Sequence, residues 1–234
     1  MPETVALSPD GHELAGLLPA SGGGRVLLGI TGAPGAGKST LAAALTAAYG
    51  ACVVPMDGFH LADVELARRG LLDRKGAPET FDAWGYAALL GRMRRPADAT
   101  EVVMAPAFER DLEQPLAGAI PVPPDAALVV TEGNYLLLGD EPWPRVRAEL
   151  DAVWHVVTDD GVRRERLVAR HVAFGKSPAA ARTWVERVDE PNARLVEATV
   201  HRADLVLDLG AWAGGATAGV SRRSGPAAAR TPRS

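Results

Sequence analysis

Residues 25–50 read RVLLGITGAPGAGKSTLAAALTAAYG, and this stretch decides the fold. RVLLGI, an apolar run interrupted only by glycine, predicts a short buried strand, and KSTLAAALTAAYG predicts a helix closed by Gly50. Between them Gly32, Gly37, Lys38 and Ser39 satisfy the pattern G-x-x-x-x-G-K-[ST], with a strand before it and a helix after it as the mechanism of that loop requires. Glycines let successive backbone N–H groups turn inward as an anion nest, and the helix N-terminus adds partial positive charge. The loop Gly32, Ala33, Pro34, Gly35, Ala36 and Gly37, continued by Lys38, Ser39 and Thr40, is therefore read as a cradle for nucleotide phosphates. Lys38 would reach the β and γ phosphates, and Ser39 would ligate Mg²⁺.

Outward from this loop, apolar runs alternate with helical segments. ACVVPM, ALVVTE, AVWHVV and ADLVLDL read as buried strands, EVVMAP as another, and residues 61–95 as mostly helical with a break around DRKGAPETFD. The segment AFERDLEQPLAGAIPVPPD reads as a proline-rich loop. DDGVRRERLVARHVAFG is an arginine-dense helix ending at Gly175, and Ser177 before Pro178 is the cap of a helix running toward Asn192. Continuously apolar strands alternating with helices predict an α/β fold with a parallel sheet covered on both faces. Residues 1–24 read as a lead segment ending in a flexible joint, 25–210 as one domain with a lid at about 163–190, and 211–234 as a disordered basic tail with four arginines.

Composition narrows the partners. The formal net charge of -4 argues against a general nucleic-acid binder. One cysteine, Cys52, allows no intrachain disulfide and suits a reducing compartment. No apolar stretch reaches the ~18 residues that span a bilayer, so the expectation is a cytoplasmic protein with a small-molecule partner, no membrane and no nucleic acid, and a homodimer as the assembly. Of 25 basic residues only Lys38, Lys75 and Lys176 are lysines, which singles out each as a place where a compact, mobile ammonium is used.

Mg²⁺ beside such a loop needs a carboxylate at a neighbouring strand end. Glu132 ends ALVVTE, Asp57 follows ACVVPM, and the carboxyl ends of parallel strands line the ligand crevice. Lys38, Asp57 and Glu132 are thus expected to converge, unless Glu132 faces solvent at a sheet edge. Arg163, Arg166 and Arg170 share one helix face by their spacing and are cations for a moving phosphoryl group, or else a solvated face relieved by Asp159, Asp160 and Glu165. A guanine reader of the form [N/T]-K-x-D does not occur around any lysine, which weakens a switch reading.

GAPGAGKST, MDGFH, VVTEGNYLLL, RRERLVARHVAFGKS and RADLVLDL, in this order, resemble the uridine kinase, pantothenate kinase and phosphoribulokinase superfamily of P-loop kinases, from about Arg25 to Leu209. The resemblance implies a five-stranded parallel sheet with flanking helices and a small helical lid, and ATP-dependent phosphorylation of a hydroxyl on a small metabolite. It matches the family's acceptor-side aspartate to Asp57, its Mg²⁺-side glutamate to Glu132 and its lid arginines to Arg163, Arg166 and Arg170. DGFH and RKGAPETFD are nearer the pantothenate kinase pattern than the uridine kinase one, and His171 and Phe174 stand where uridine kinases continue with other residues. APAFERDLEQP and RHVAFGKSP look most like a bacterial branch labelled nucleoside/nucleotide kinase or sugar kinase.

Acceptor contacts are sought among His60, Lys75, Phe81, Arg110, Tyr135 and Asn192, with Asp57 polarising the hydroxyl and Phe81 also open to a reading as core or pocket wall. Arg110 could instead pair with Glu109 or Asp111, and Tyr135 could be pocket wall. If Lys75 and Arg110 both face the pocket, an acidic acceptor is favoured over an uncharged sugar. The rival reading is a regulatory NTPase acting on a protein partner.

Overall fold

The computed structural model describes residues 1–21, 24–95 and 98–214. The expected basic tail lies, from residue 215 on, outside the described residues. In chain order the elements are β1 (Glu3–Ala6), α1 (Leu14–Leu17), β2 (Val26–Thr31), α2 (Lys38–Tyr49), β3 (Cys52–Pro55), α3 (Asp63–Arg69) and α4 (Ala83–Arg94). β4 (Val103–Glu109), β5 (Gln114–Val122), β6 (Leu128–Glu132), α5 (Trp143–Ala148) and β7 (Ala152–Val157) follow. The chain ends with α6 (Asp160–Ala173), α7 (Pro178–Trp184), a π-helical turn (Val185–Asp189), α8 (Glu190–Glu197) and β8 (Leu205–Asp208).

The main sheet has six strands in the order β1-β8-β7-β2-β6-β3, all parallel. The glycine-loop strand β2 lies at its centre between β6 and β7. Leu27, Leu28 and Ile30 of β2 are fully buried, each contributing about 1.5–3 kcal/mol of hydrophobic burial. One face of the sheet packs Leu27, Val129 and Val153 with Tyr86, Leu90 and Leu136. The other packs Leu28, Ile30, Val130 and Trp154 with Leu41 and Leu45 of α2. Helices on both faces force the site to the strand ends.

Three features differ from the expectation. The sheet has six strands rather than five, because Glu3–Ala6 pairs with β8 in register Glu3 with Leu205 through Ala6 with Asp208. With only four residues, three of them exposed, this edge strand carries no apolar run to betray it. EVVMAP does form a strand, but in a separate antiparallel ribbon with β5. Its burial alternates, with Val103 and Ala105 buried and Met104 exposed, the period of a half-covered ribbon. The supposed proline-rich loop supplies β5: Pro115 and Pro121 sit in a strand paired on one side only, where missing N–H donors cost nothing.

Candidate active site

The glycine loop leaves β2 with positive φ at Gly32 (150°), Gly35 (80°) and Gly37 (105°), a left-handed path that side chains resist. A Cβ on Gly32 would lie 2.4 Å from the carbonyl oxygen of Val156, so the loop also hugs the end of β7. Lys38 opens α2 and folds back: its Nζ donates to the carbonyls of Gly32 (2.9 Å) and Ala33 (3.1 Å). Burial lowers its pKa to about 8, against the opposing pull of Glu132 and Asp57. The ammonium is thus held inside the loop by two backbone carbonyls.

The ends of β6 and β3 bring the carboxylates. Glu132 is aligned with Ile30 on one side and Pro55 on the other, and its Oε1 accepts a hydrogen bond of 3.1 Å from Ser39 Oγ. Burial and the nearby Asp57 carboxylate both push the Glu132 pKa up. Asp57 sits in the 3-10 turn Met56–Phe59 that follows β3. A Cβ on Gly58 would lie 2.4 Å from the Pro106 carbonyl oxygen, so only glycine lets this turn press against β4.

These groups face a cavity of about 500 Å³, within the range that small-molecule sites occupy. Of the residues expected from sequence, Pro34, Gly35, Gly37, Lys38, Ser39 and Thr40 line it on the loop side. Asp57, His60, Lys75, Arg110, Glu132, Arg166, Arg170 and Asn192 line the rest. Gly32, Ala33 and Ala36 do not line the cavity, and the carbonyls of Gly32 and Ala33 accept from Lys38 instead. Arg166 and Arg170 make no ion pair among the described residues and stand ready for an anion.

Two expected residues are elsewhere. Arg163 has 2% of its side chain exposed, and pairs with Asp160 (3.1 Å) and Glu190 (2.6 Å). It also donates to the Pro34 carbonyl at 3.4 Å, so it braces the loop from behind. Spacing put the three arginines on one face, but a step of three to four residues still turns the side chain enough to bury the first of them. Tyr135 is fully buried; its hydroxyl donates to the Gly76 carbonyl at 2.5 Å, and its ring meets Phe81 and Trp143 edge-on. It supports the wall instead of lining it.

On the opposite side His60 stacks on Phe81 at 4.0 Å and lies near Phe108 at 4.9 Å, and burial lowers its pKa. Lys75 is tied down, with Nζ 2.7 Å from Asp63 and donating also to the Glu113 carbonyl. Arg110 pairs with neither Glu109 nor Asp111: its Nη2 stands 3.5 Å from Asp57 Oδ2. Sequence reasoning missed Asn134, Trp184, Val188 and Asp189, which also line the cavity. Asn134 lies two residues past Glu132, and its carbonyl accepts from Thr31 Oγ1 at 2.9 Å. Asp189 lies 2.8 Å from His171 Nε2 and reaches the cavity through the π-helical turn, a local distortion that leaves no apolar period to read. Among the described residues, no helix is long and apolar enough to cross a membrane.

Comparison with known proteins places the chain among kinases. A Schizosaccharomyces pombe protein that carries the name of a uridine kinase is 34% identical over 198 residues, 78% of this chain and 83% of that protein. The pantothenate kinase of Mycolicibacterium vanbaalenii is 31% identical over 118 residues, 47% of this chain and 37% of its own. A structure from Silicibacter sp. TM1040, solved under the name of a fructose transport system kinase, superposes with a TM-score of 0.72 at 40% identity. It covers 82% of this chain and 94% of that one. The family model described as Phosphoribulokinase / Uridine kinase matches residues 27–212, from the central strand through α6, α7 and α8 to just beyond β8, and the chain belongs to that family of ATP-dependent small-molecule kinases.

Proposed function

We propose that the protein transfers the γ-phosphoryl group of ATP to a hydroxyl of a small metabolite, with a sugar, a pantothenate-like or a nucleoside-like compound as acceptor. The observation that carries this reading is the convergence of Lys38, Asp57 and Glu132, from the ends of three adjacent strands, on one cavity. A binding module would need the cradle; it would not need a carboxylate held across the cavity from it.

The loop N–H groups and Lys38 hold the β and γ phosphates, and the unpaired Arg166 and Arg170 close on the transferring group. Asp57 receives the proton of the acceptor hydroxyl as its oxygen bonds to the γ-phosphorus and the bond to the ADP oxygen breaks. Asn192, His60 and the aromatic wall position the acceptor, and the lid excludes water.

The residues present fit Mg²⁺. Glu132 and Asp57 are two neighbouring carboxylates whose mutual repulsion a divalent cation relieves, and Ser39 already points its hydroxyl at Glu132. Among the described residues, no group of three or more His, Cys, Asp or Glu side chains could hold a metal, as suits an ion that takes its remaining ligands from phosphate and water. When bound, Mg²⁺ would be held by Ser39 and Glu132 and would neutralise phosphate charge.

The names of the relatives span a nucleoside, a hydroxy acid and a sugar, and so support the class while leaving the acceptor open. Steady-state phosphoryl transfer tests the reading: Lys38→Ala should abolish turnover with the fold intact, and near-native turnover in that variant would overturn it.

A further inference from the structure

The cations around the cavity divide into committed and uncommitted ones. Lys75 is held by Asp63 and by the Glu113 carbonyl, and Lys38 by loop carbonyls. Arg166 and Arg170 are uncommitted but stand on the lid helix α6, on the nucleotide side. Arg110 is the uncommitted cation on the acceptor side. Its guanidinium donates no hydrogen bond among the described residues, its side chain is 47% exposed, and it lies 5.7 Å from the Phe174 ring centre. The 3.5 Å contact with Asp57 is a half-exposed ion pair that contributes little by itself.

The ribbon tip that carries Arg110 is nevertheless built with care. Glu113 adopts a positive φ of 52°, unusual for its type, and Lys75 fixes its carbonyl. Gln114 Oε1 accepts from the Asp63 backbone N–H at 3.2 Å. The tip thus carries the Arg110 guanidinium to the cavity wall beside Asp57, its only acidic partner among the described residues, with no hydrogen-bond acceptor there. A planar fork of this kind matches a carboxylate or phosphate ester.

Resting on the kinase reading above, we propose that the acceptor is itself an anion, a small hydroxy acid or a phosphorylated polyol, and that Arg110 is the residue that selects it. The anionic group draws the guanidinium from Asp57, and the hydroxyl takes its place there. A neutral nucleoside or free sugar would leave the fork unpaired.

The test uses matched compounds that differ in charge: pantothenol and pantothenate, glycerol and glycerate, fructose and fructose 6-phosphate. In at least one pair the anionic member should show kcat/KM about 10- to 100-fold above the neutral one, the worth of a charge-assisted pair. Arg110→Ala should reduce that preference to near unity and Arg110→Lys should retain part of it, a rescue that a merely structural role would not produce. Neutral members turned over equally well, or a preference that survives Arg110→Ala, would overturn the inference and leave the kinase reading standing. If no pair is turned over, calorimetry decides: inorganic phosphate, titrated into protein saturated with Mg²⁺ and a non-hydrolysable ATP analogue, should bind about tenfold more weakly in Arg110→Ala. Absent or unchanged phosphate binding would overturn it. The kinase reading fails by a different route, through nucleotide binding or phosphoryl transfer that does not depend on Lys38.

Discussion

Arg163 and Glu190 meet at 2.6 Å behind the phosphate loop, with the guanidinium almost wholly buried. The pair joins α6 to α8, and the 3.4 Å contact with the Pro34 carbonyl joins both to the loop. The pair's role is therefore mechanical. It fixes α6, whose next turns carry Arg166 and Arg170 into the cavity lining.

Breaking this pair should leave the Pro34 carbonyl without its partner and Glu190 held by the half-exposed Arg164 alone. Arg163→Met should cost about 2 kcal/mol of stability, measured by denaturant unfolding, and Arg163→Met with Glu190→Gln should recover part of the loss. A cost below about 0.5 kcal/mol, the level of exposed pairs, would remove the bracing role.

Gly58 permits the close approach of the Asp57 turn to Pro106. Gly58→Ala should push the ribbon away at a cost of about 1–3 kcal/mol, and should lower acceptor turnover while nucleotide affinity, measured by calorimetry, stays within about twofold. Equal losses in both would mean that the turn does not position the acceptor side separately.

The buried Lys38 should reveal itself by pH. In the nucleotide-free protein it gives up its proton as pH rises through about 8, whereas phosphates hold it charged. Nucleotide affinity should fall above that pH, and binding near pH 8.5 should take up a proton, read from calorimetry in buffers of different ionisation heat. Glu132, whose pKa burial raises, carries the opposite sign: entry of Mg²⁺ on the acid side should expel a proton. No uptake on the alkaline side would contradict the environment of Lys38.

His155 lies in β7 aligned with Thr31, buried and with Nδ1 unpartnered. Burial lowers its pKa to about 4. The unfolded chain then binds a proton that the native state refuses between pH 6.5 and 4, so stability should fall as pH drops through that window, by up to about 3 kcal/mol. His155→Leu should remove most of this dependence in denaturant titrations at pH 6.5 and 4.5. An unchanged slope would assign the acid sensitivity to other groups.

The parts of the molecule legible in the sequence are those that one short segment specifies by itself. The glycine loop, with Lys38 and Ser39, needs only its own strand and helix, and Asp57 and Glu132 could be located because parallel strands all end on one side. What escaped depends on partners distant in the chain. Arg163 is indistinguishable from Arg166 and Arg170 by spacing, and only Glu190 makes it a buried brace. β1 and β5 lack an apolar run because each is an edge, and β5 hides two prolines in a strand. Asp189 enters the cavity through a π-helical turn that periodicity does not encode.

The central claim is that Asp57 serves the acceptor and not the nucleotide. The most direct measurement is ADP release from Mg-ATP across a panel of sugars, sugar phosphates, hydroxy acids and nucleosides, with Asp57→Asn beside the native protein. The account predicts that at least one hydroxyl compound raises turnover well above the hydrolysis background, and that Asp57→Asn removes this rise by about 10²-fold or more while binding ATP within about threefold of native. Acceptor-stimulated turnover that survives in Asp57→Asn, or a rate raised by a protein partner and by no hydroxyl compound, would contradict it.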